Sequence, residues 1–373
     1  MLNHLKTLKE LERVSDKLFP DVSGEINLAK ELWNEISNDP TFIHQARAAK
    51  SPWNIPYWQG GLSDKFVVDS LQKYKVLAVD GSQIYPDRHQ GVACYLINVG
   101  IVFLDYFSGL SSVKLDSEPF VFVAGDGLIS EFEFSMDLVN CHRQEFEFKF
   151  GCDFCKKMEI IDFPFLFLFD GSLIFWHLDS KEHKIKEYFL SSYLNKLEKL
   201  YEKKILNAGY ISFPKSKDLV NLLRLKVCNF QPNVNDNYHV FDRMTDAVII
   251  KFFLPPFKRS IVFQNNSKIS EEYPDHLRPY FFYLNVEEEI ARIEIPKWIA
   301  DDLQLVDQVA KIVVDQVKKG DGYPISIAES HEQAVVKSQD RNFFYDMIFK
   351  QGIKQDRMFV GSRKSFRKKN AGF

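Results

Sequence analysis

Two short segments of the 373-residue chain share one pattern: Val76-Leu77-Ala78-Val79-Asp80-Gly81-Ser82 and Phe167-Leu168-Phe169-Asp170-Gly171-Ser172. In each, an apolar run of strand length ends in Asp followed at once by Gly and Ser, so the carboxylate falls where the chain leaves the strand and turns sharply. The C-terminal edge of such strands is the ligand-bearing edge of an open α/β sheet. If the two strands are parallel neighbours in matching register, their Asp residues lie about 4.8 Å apart. Carboxylates at that spacing hold divalent cations, and a two-metal phosphodiesterase site needs ions about 3.5–4 Å apart. The alternative is two ordinary turns whose Asp side chains cap local backbone groups.

A cation site needs further ligands, and two segments carry candidates. Residues 137–149 hold Arg143, Glu145 and Glu147. A helix here would send one Glu toward the strand ends, although the run from Glu145 to Phe150 also alternates with the period of a strand. The spacing of Leu138, Val139 and His142 favours the helix and leaves open which Glu faces the site. Near the C-terminus, residues 322–346 bring Glu329, His331, Glu332 and Asp340. In an isolated helix these would be solvated charges and one surface His. They do not form a zinc-protease motif, because the fourth position after His331 is Val335 rather than a second His. Lys258 and Arg259 can contact phosphates or face water. Cys152 and Cys155 make the C-x-x-C, but the second pair that a zinc knuckle requires is missing. No G-x-S-x-G elbow surrounds Ser82 or Ser172, so neither is expected to be a nucleophile. No G-x-x-x-x-G-K-[ST] occurs, so any ATP-derived energy must come from a partner.

The elements that position these residues are readable in outline. Residues 1–50 have helical spacing, with Leu5, Leu8, Leu11 and Val14, then Ile26, Leu28, Leu32, Trp33 and Ile36, divided by Pro20; two helices are expected. The stripe of Leu5, Leu8 and Leu11 suits either core packing or contact with a partner. Residues 51–61, rich in Pro, Gly and Trp, read as a connector or packed loop. Val76 to Val79, Val92 to Phe107 and residues 163–169 are apolar and of strand character, with turn chemistry at Tyr85-Pro86-Asp87. Helical spacing returns at Leu219 to Leu225 and Leu303 to Val317. This alternation predicts an α/β sheet with some parallel pairing. Three regions follow: an N-terminal helical extension and linker over 1–70, the main domain over 71–349 and a basic tail over 350–373.

Composition bounds the rest. With 48 Lys+Arg, 51 Asp+Glu, 45% hydrophobic residues and 34 Phe, the chain is an ordinary globular one with a large aromatic core. No membrane-length apolar run or signal-peptide segment appears, and the five cysteines lack framework spacing; a cytoplasmic protein with reduced thiols is expected. The overall charge is −3, yet the tail from Lys350 carries eight basic residues, Arg363, Lys364 and Arg367 among them, against the single acid Asp356. A basic tail on an acidic body can contact phosphates and leave room for a carboxylate-lined metal site; the bland reading is a solvated end.

Taken together, the segments resemble the NurA family of prokaryotic DNA-end nucleases. The likeness rests on Ala78-Val79-Asp80-Gly81-Ser82-Gln83 with the following Ile84-Tyr85-Pro86-Asp87-Arg88-His89, on Phe169-Asp170-Gly171-Ser172-Leu173, on Gly209-Tyr210-Ile211-Ser212 with Pro214-Lys215-Ser216, and on Gly322-Tyr323-Pro324 leading into Glu329-Ser330-His331-Glu332-Gln333-Ala334. Their order agrees as well as their content, over roughly residues 75 to 350. The resemblance implies an RNase H-like mixed sheet flanked by helices, a homodimer enclosing a channel, and manganese-dependent 5′-to-3′ exonuclease activity on DNA ends, with endonuclease activity a further option. It also implies a hexameric HerA-type ATPase as partner. Carried over by position, Asp80 is the first-strand metal carboxylate and Asp170 its partner. Glu147, with Arg143 four residues before it, matches the family's helix Glu, with Glu145 as rival. His331 matches the C-terminal His, and Glu332 is an alternative ligand. Two Mn²⁺ or Mg²⁺ ions are expected, with Arg143, Lys258, Arg259 and the tail on the DNA. The rival classes are a catalytically silent DNA-clamping or scaffold subunit and a metal-dependent phosphatase using the same Asp pair.

Overall fold

The computed structural model describes residues 2–19, 21–87, 92–107, 112–123, 135–158, 164–232 and 240–355. It opens with α1 (His4–Leu18), α2 (Ser23–Asn38) and α3 (Phe42–Ala48), followed by the short strands β1 (Tyr57–Trp58) and β2 (Lys65–Val67). Next come β3 (Lys75–Ile84), β4 (Cys94–Asp105), β5 (Ser112–Val123), α4 (Met136–Lys157), β6 (Phe165–Asp170), α5 (His183–Glu202) and β7 (Leu206–Ile211). The second half runs α6 (Asp218–Val227), α7 (Asp246–Phe253), β8 (Lys258–Ser260), β9 (Phe263–Gln264), β10 (Pro279–Asn285), β11 (Ile290–Pro296), α8 (Lys297–Ala300), α9 (Leu303–Lys319), α10 (Ile325–Ala334) and α11 (Ser338–Lys354).

Among the described residues these strands form one mixed sheet in the order β5-β4-β3-β6-β7-β11-β10-β9-β1, with β8 also on β10 and β2 on β8. β3, β4 and β5 make an antiparallel meander, β6 lies parallel to β3, and β7 lies parallel to β6. Period-two alternation assigns each side chain its layer. Leu77, Val79, Phe167 and Phe169 face a core shared with α4 and α5, whereas Val76, Ala78, Leu166 and Leu168 face one shared with α9. The strands are buried on both faces, which is why they read as continuous apolar runs. Much of the Phe content fills the α4 side, where Phe148 stacks on Phe169 at 4.1 Å and Phe175 on Tyr193 at 4.0 Å.

The N-terminal helices divide by packing. Trp33 of α2 and Phe42 of α3 join Leu219, Leu223 and Phe241 in a third core, against Phe281 and Tyr283 of β10. α1 buries none of its residues, and Leu5, Leu8 and Leu11 stand exposed. Two helices were expected here and three are present. The expected helices at Leu219 to Leu225 and Leu303 to Val317 lie within α6 and α9, and the ambiguous segment at 137–149 is helical, inside α4. No described helix is long and apolar enough to cross a membrane.

Candidate active site

β3 and β6 pair in parallel with Val79 opposite Phe169, the residue before each Asp, so Asp80 and Asp170 leave the sheet side by side at its C-terminal edge. Asp80 Oδ1 accepts the Gly81 N–H at 2.8 Å, and Asp80 Oδ2 lies 2.8 Å from Nδ1 of His331. Asp170 Oδ1 accepts a hydrogen bond from the Tyr323 hydroxyl at 3.1 Å. Asp170 touches solvent at the strand end, yet surrounding protein and then the charge of Asp80 raise its pKa.

α4 supplies the third carboxylate. Ser135 caps it, accepting the Leu138 N–H at 3.1 Å, and the helix crosses one face of the sheet. Arg143 and Glu147, one turn apart, share the face turned to β3. Arg143 pairs with Glu147 Oε1, donates to the Gly81 carbonyl at 3.1 Å and lies 4.0 Å from Asp80 Oδ1. The approach is close enough to require glycine: a Cβ on Gly81 would fall 2.6 Å from Glu147 Oε1. Burial drives the Glu147 pKa up to about 8, against the pull of Arg143 and with the aid of Asp80 and Asp170.

The helix settles the choice between the two glutamates. Glu145 faces α5, where its Oε1 accepts from Ser192 Oγ at 2.7 Å and Lys196 Nζ at 2.9 Å. Two helix positions separate it from Glu147, roughly 200° of rotation, so it is not a ligand beside the Asp pair.

α10 brings His331 to Asp80. The carbonyl of Ala334 accepts from Ser82 Oγ and from Asn98 Nδ2, the latter at 2.8 Å, and a Cβ on Gly100 would meet Ser330 O and Ala334 N at 2.5 Å. The serine of the first Asp-Gly-Ser thus seats the late helix. That of the second donates to Glu294 Oε2 at 2.6 Å and braces its own turn. The His331 side chain remains 61% exposed. Glu332, the next residue, is turned about 100° from His331 and is exposed. Tyr323 is the contact that residue spacing did not nominate. Its signal was the Gly-Tyr-Pro just before the helix, and its ring stands edge-on to Tyr210 at 5.4 Å.

The remaining candidates lie elsewhere. Arg259 is 1% exposed, donates from Nε and NH2 to Asp307 Oδ1 at 2.9 and 2.7 Å, and rests over the Phe66 ring. It is therefore a buried structural cation rather than a DNA contact. Lys258 precedes it on β8, which the sheet order places four strands from β6, roughly 19 Å at the usual strand spacing. Arg363, Lys364 and Arg367 fall outside the described residues. Cys152 and Cys155 are buried in the α4 core, and burial pushes the Cys152 thiol up to about 12.

Among the described residues no three His, Cys, Asp or Glu side chains are already gathered as they would be around an ion. The donor chemistry nonetheless suits one. Three carboxylates and an imidazole are hard oxygen and borderline nitrogen ligands, appropriate to Mn²⁺ or Mg²⁺. The carboxylates crowd around a single guanidinium, and the raised pKa values of Asp170 and Glu147 express that excess of negative charge.

Comparison with known proteins bears on the same residues. The NurA domain matches residues 74–336, a span containing Asp80, Glu147, Asp170 and His331. A crystal structure of NurA is similar at 13% identity, covering 91% of this chain and 97% of the other, with a TM-score of 0.45. A NurA bound to dAMP and manganese is similar at 12% identity, with coverage of 90% and 95% and a TM-score of 0.40. A NurA with manganese gives 11%, 90%, 96% and 0.41. No curated protein matches the sequence.

Proposed function

This chain belongs to the NurA family, and from that premise we propose that it is a metal-dependent deoxyribonuclease that degrades DNA from its ends. The observation that carries the reading is the matched register of β3 and β6, which sets Asp80 beside Asp170. Asp80 and Asp170 hold Mn²⁺ or Mg²⁺, as two ions, with Glu147 and His331 completing the ligand set. When bound, the ions supply a water of lowered pKa and stabilise the charge developing on the leaving 3′-oxygen. Arg143 limits repulsion among the three carboxylates, and Tyr323 fixes the rotamer of Asp170. Asp80 holds His331 through Nδ1, which leaves Nε2 to ligate or to carry a proton near neutral pH.

An RNase H-like core is part of the proposal. The meander β3-β4-β5 with β6 and β7 added in parallel on the other side of β3 supports it. We further propose 5′-to-3′ polarity, a homodimer and a HerA-type ATPase as partner. The exposed Leu5, Leu8 and Leu11 on α1 support a protein contact there, as an unburied apolar stripe is otherwise unfavourable in water. A second reading, a silent DNA-clamping subunit, is favoured by one observation: Glu147 is engaged by Arg143 and no ligand group is pre-gathered. The test is degradation of end-labelled linear DNA in Mn²⁺, Mg²⁺ and EDTA. The nuclease cleaves with either metal and not in EDTA, whereas absence of cleavage in every condition, with DNA still bound, gives the silent subunit.

A further inference from the structure

The turn that carries Asp170 has a second side. Gly171 and Ser172, within about 8 Å of Asp170 along the chain, form one wall of a cavity of about 450 Å³ at the same C-terminal sheet edge. Its volume is in the range of small-molecule sites. Trp176, 44% exposed, stands at one side, with Ile211 and the exposed Lys215 also lining it. The buried Asn54, from the Trp-rich connector at 51–61, contributes an amide that donates to Asp218 Oδ1 at 2.6 Å while its own Oδ1 has no hydrogen-bond partner. The cavity therefore combines an aromatic platform, a mobile cation and an unsatisfied acceptor, next to a proposed phosphodiester-cleaving carboxylate. The floor is already neutral and gives no such invitation: buried Arg292 is paired with Asp218 and Glu294.

We propose that this cavity receives the nucleoside adjoining the scissile phosphate of a DNA strand, an assignment that rests on the nuclease reading of Asp80 and Asp170. Trp176 stacks on the base, Lys215 meets a neighbouring phosphate, and Asn54 accepts from a base N–H. Stacking on an aromatic side chain contributes about 1–3 kcal/mol per base and tolerates any sequence, so the pocket grips without choosing. It also separates this site from a phosphatase for small esters, which has no need of a base platform.

The test measures binding of short single strands bearing either 2-aminopurine or an abasic residue at the terminal position to the full-length chain. It is done in EDTA and in Ca²⁺, with manganese-dependent cleavage recorded on the same preparations. The wild type should quench 2-aminopurine and prefer the base-bearing strand by about 10-fold, the lower half of the stacking range. Trp176→Ala should abolish the quenching and most of that preference, Trp176→Phe should keep the preference, and Lys215→Ala should weaken both strands equally. No preference in the wild type, or an undiminished one in Trp176→Ala, overturns the assignment. Cleavage without base preference overturns the pocket alone; base preference without cleavage supports the pocket and overturns the nuclease reading.

Discussion

Glu147 joins the proton and metal equilibria of the site. A carboxyl with a pKa of about 8 is protonated in roughly nine of ten molecules at pH 7. A metal ligand must be deprotonated, so cation binding displaces that proton and metal affinity rises as pH climbs toward 8. Calorimetry of Mn²⁺ binding in buffers of different ionisation enthalpy should show release of about one proton at pH 7, fading toward zero by about pH 9. Equal heats in the two buffers at pH 7 would mean that Glu147 is already ionised or takes no part. The sequence held the pair Glu145 and Glu147 but not the choice between them. Phe146, Phe148 and Phe150 intervene because α4 is buried on several sides, against the sheet, β5 and α5, and so shows no clean polar face. What separates the two acids is Lys196, 51 residues further on, which claims Glu145. In the same way Arg259 looked like a free cation because its partner Asp307 is 48 residues away.

At the scale of elements, two strands and one helix make the site. β3 and β6 were legible because both faces are buried and the run ends abruptly at Asp-Gly-Ser. β5 was not legible, since from Ser112 to Pro119 every residue is exposed and polar side chains interrupt the run. The seat of α10 on β3 and β4 was not legible either, because it depends on Ser82 and Asn98 converging on Ala334 and on the missing side chain of Gly100. Gly100→Ala would place a Cβ 2.5 Å from two backbone atoms of α10, so the helix must move away from the sheet. Overpacking of this kind costs about 1–3 kcal/mol, and a displacement near 1 Å can lower a rate by about 10²-fold. We expect Gly100→Ala to fold with a lowered melting temperature and to lose at least about tenfold in cleavage. Unchanged cleavage in a folded Gly100→Ala protein would show that the position of His331 does not matter.

For the molecule as a whole, an 11-stranded sheet covered on both faces carries its acid cluster at one edge. The sheet extends through β11, β10 and β9 to β1, and a third core ties α2 and α3 to that half, so most of the N-terminal region is integral to the body. Only α1 presents an uncovered apolar face. The broad α/β class followed from the alternation of apolar runs, whereas the antiparallel half followed from nothing local: β10 and β11 find each other through a tight turn and complete burial. The account turns on Asp80 and Asp170 acting as one centre. The most direct measurement compares Asp80→Asn and Asp170→Asn with the wild type for Mn²⁺-dependent cleavage of linear DNA and for DNA binding on the same preparations. Each isosteric change should lower cleavage by at least about 10³-fold, in keeping with loss of a metal-held charge of several kcal/mol, while binding stays within about threefold because phosphate contacts set it. A variant of either residue that keeps wild-type cleavage would contradict the account.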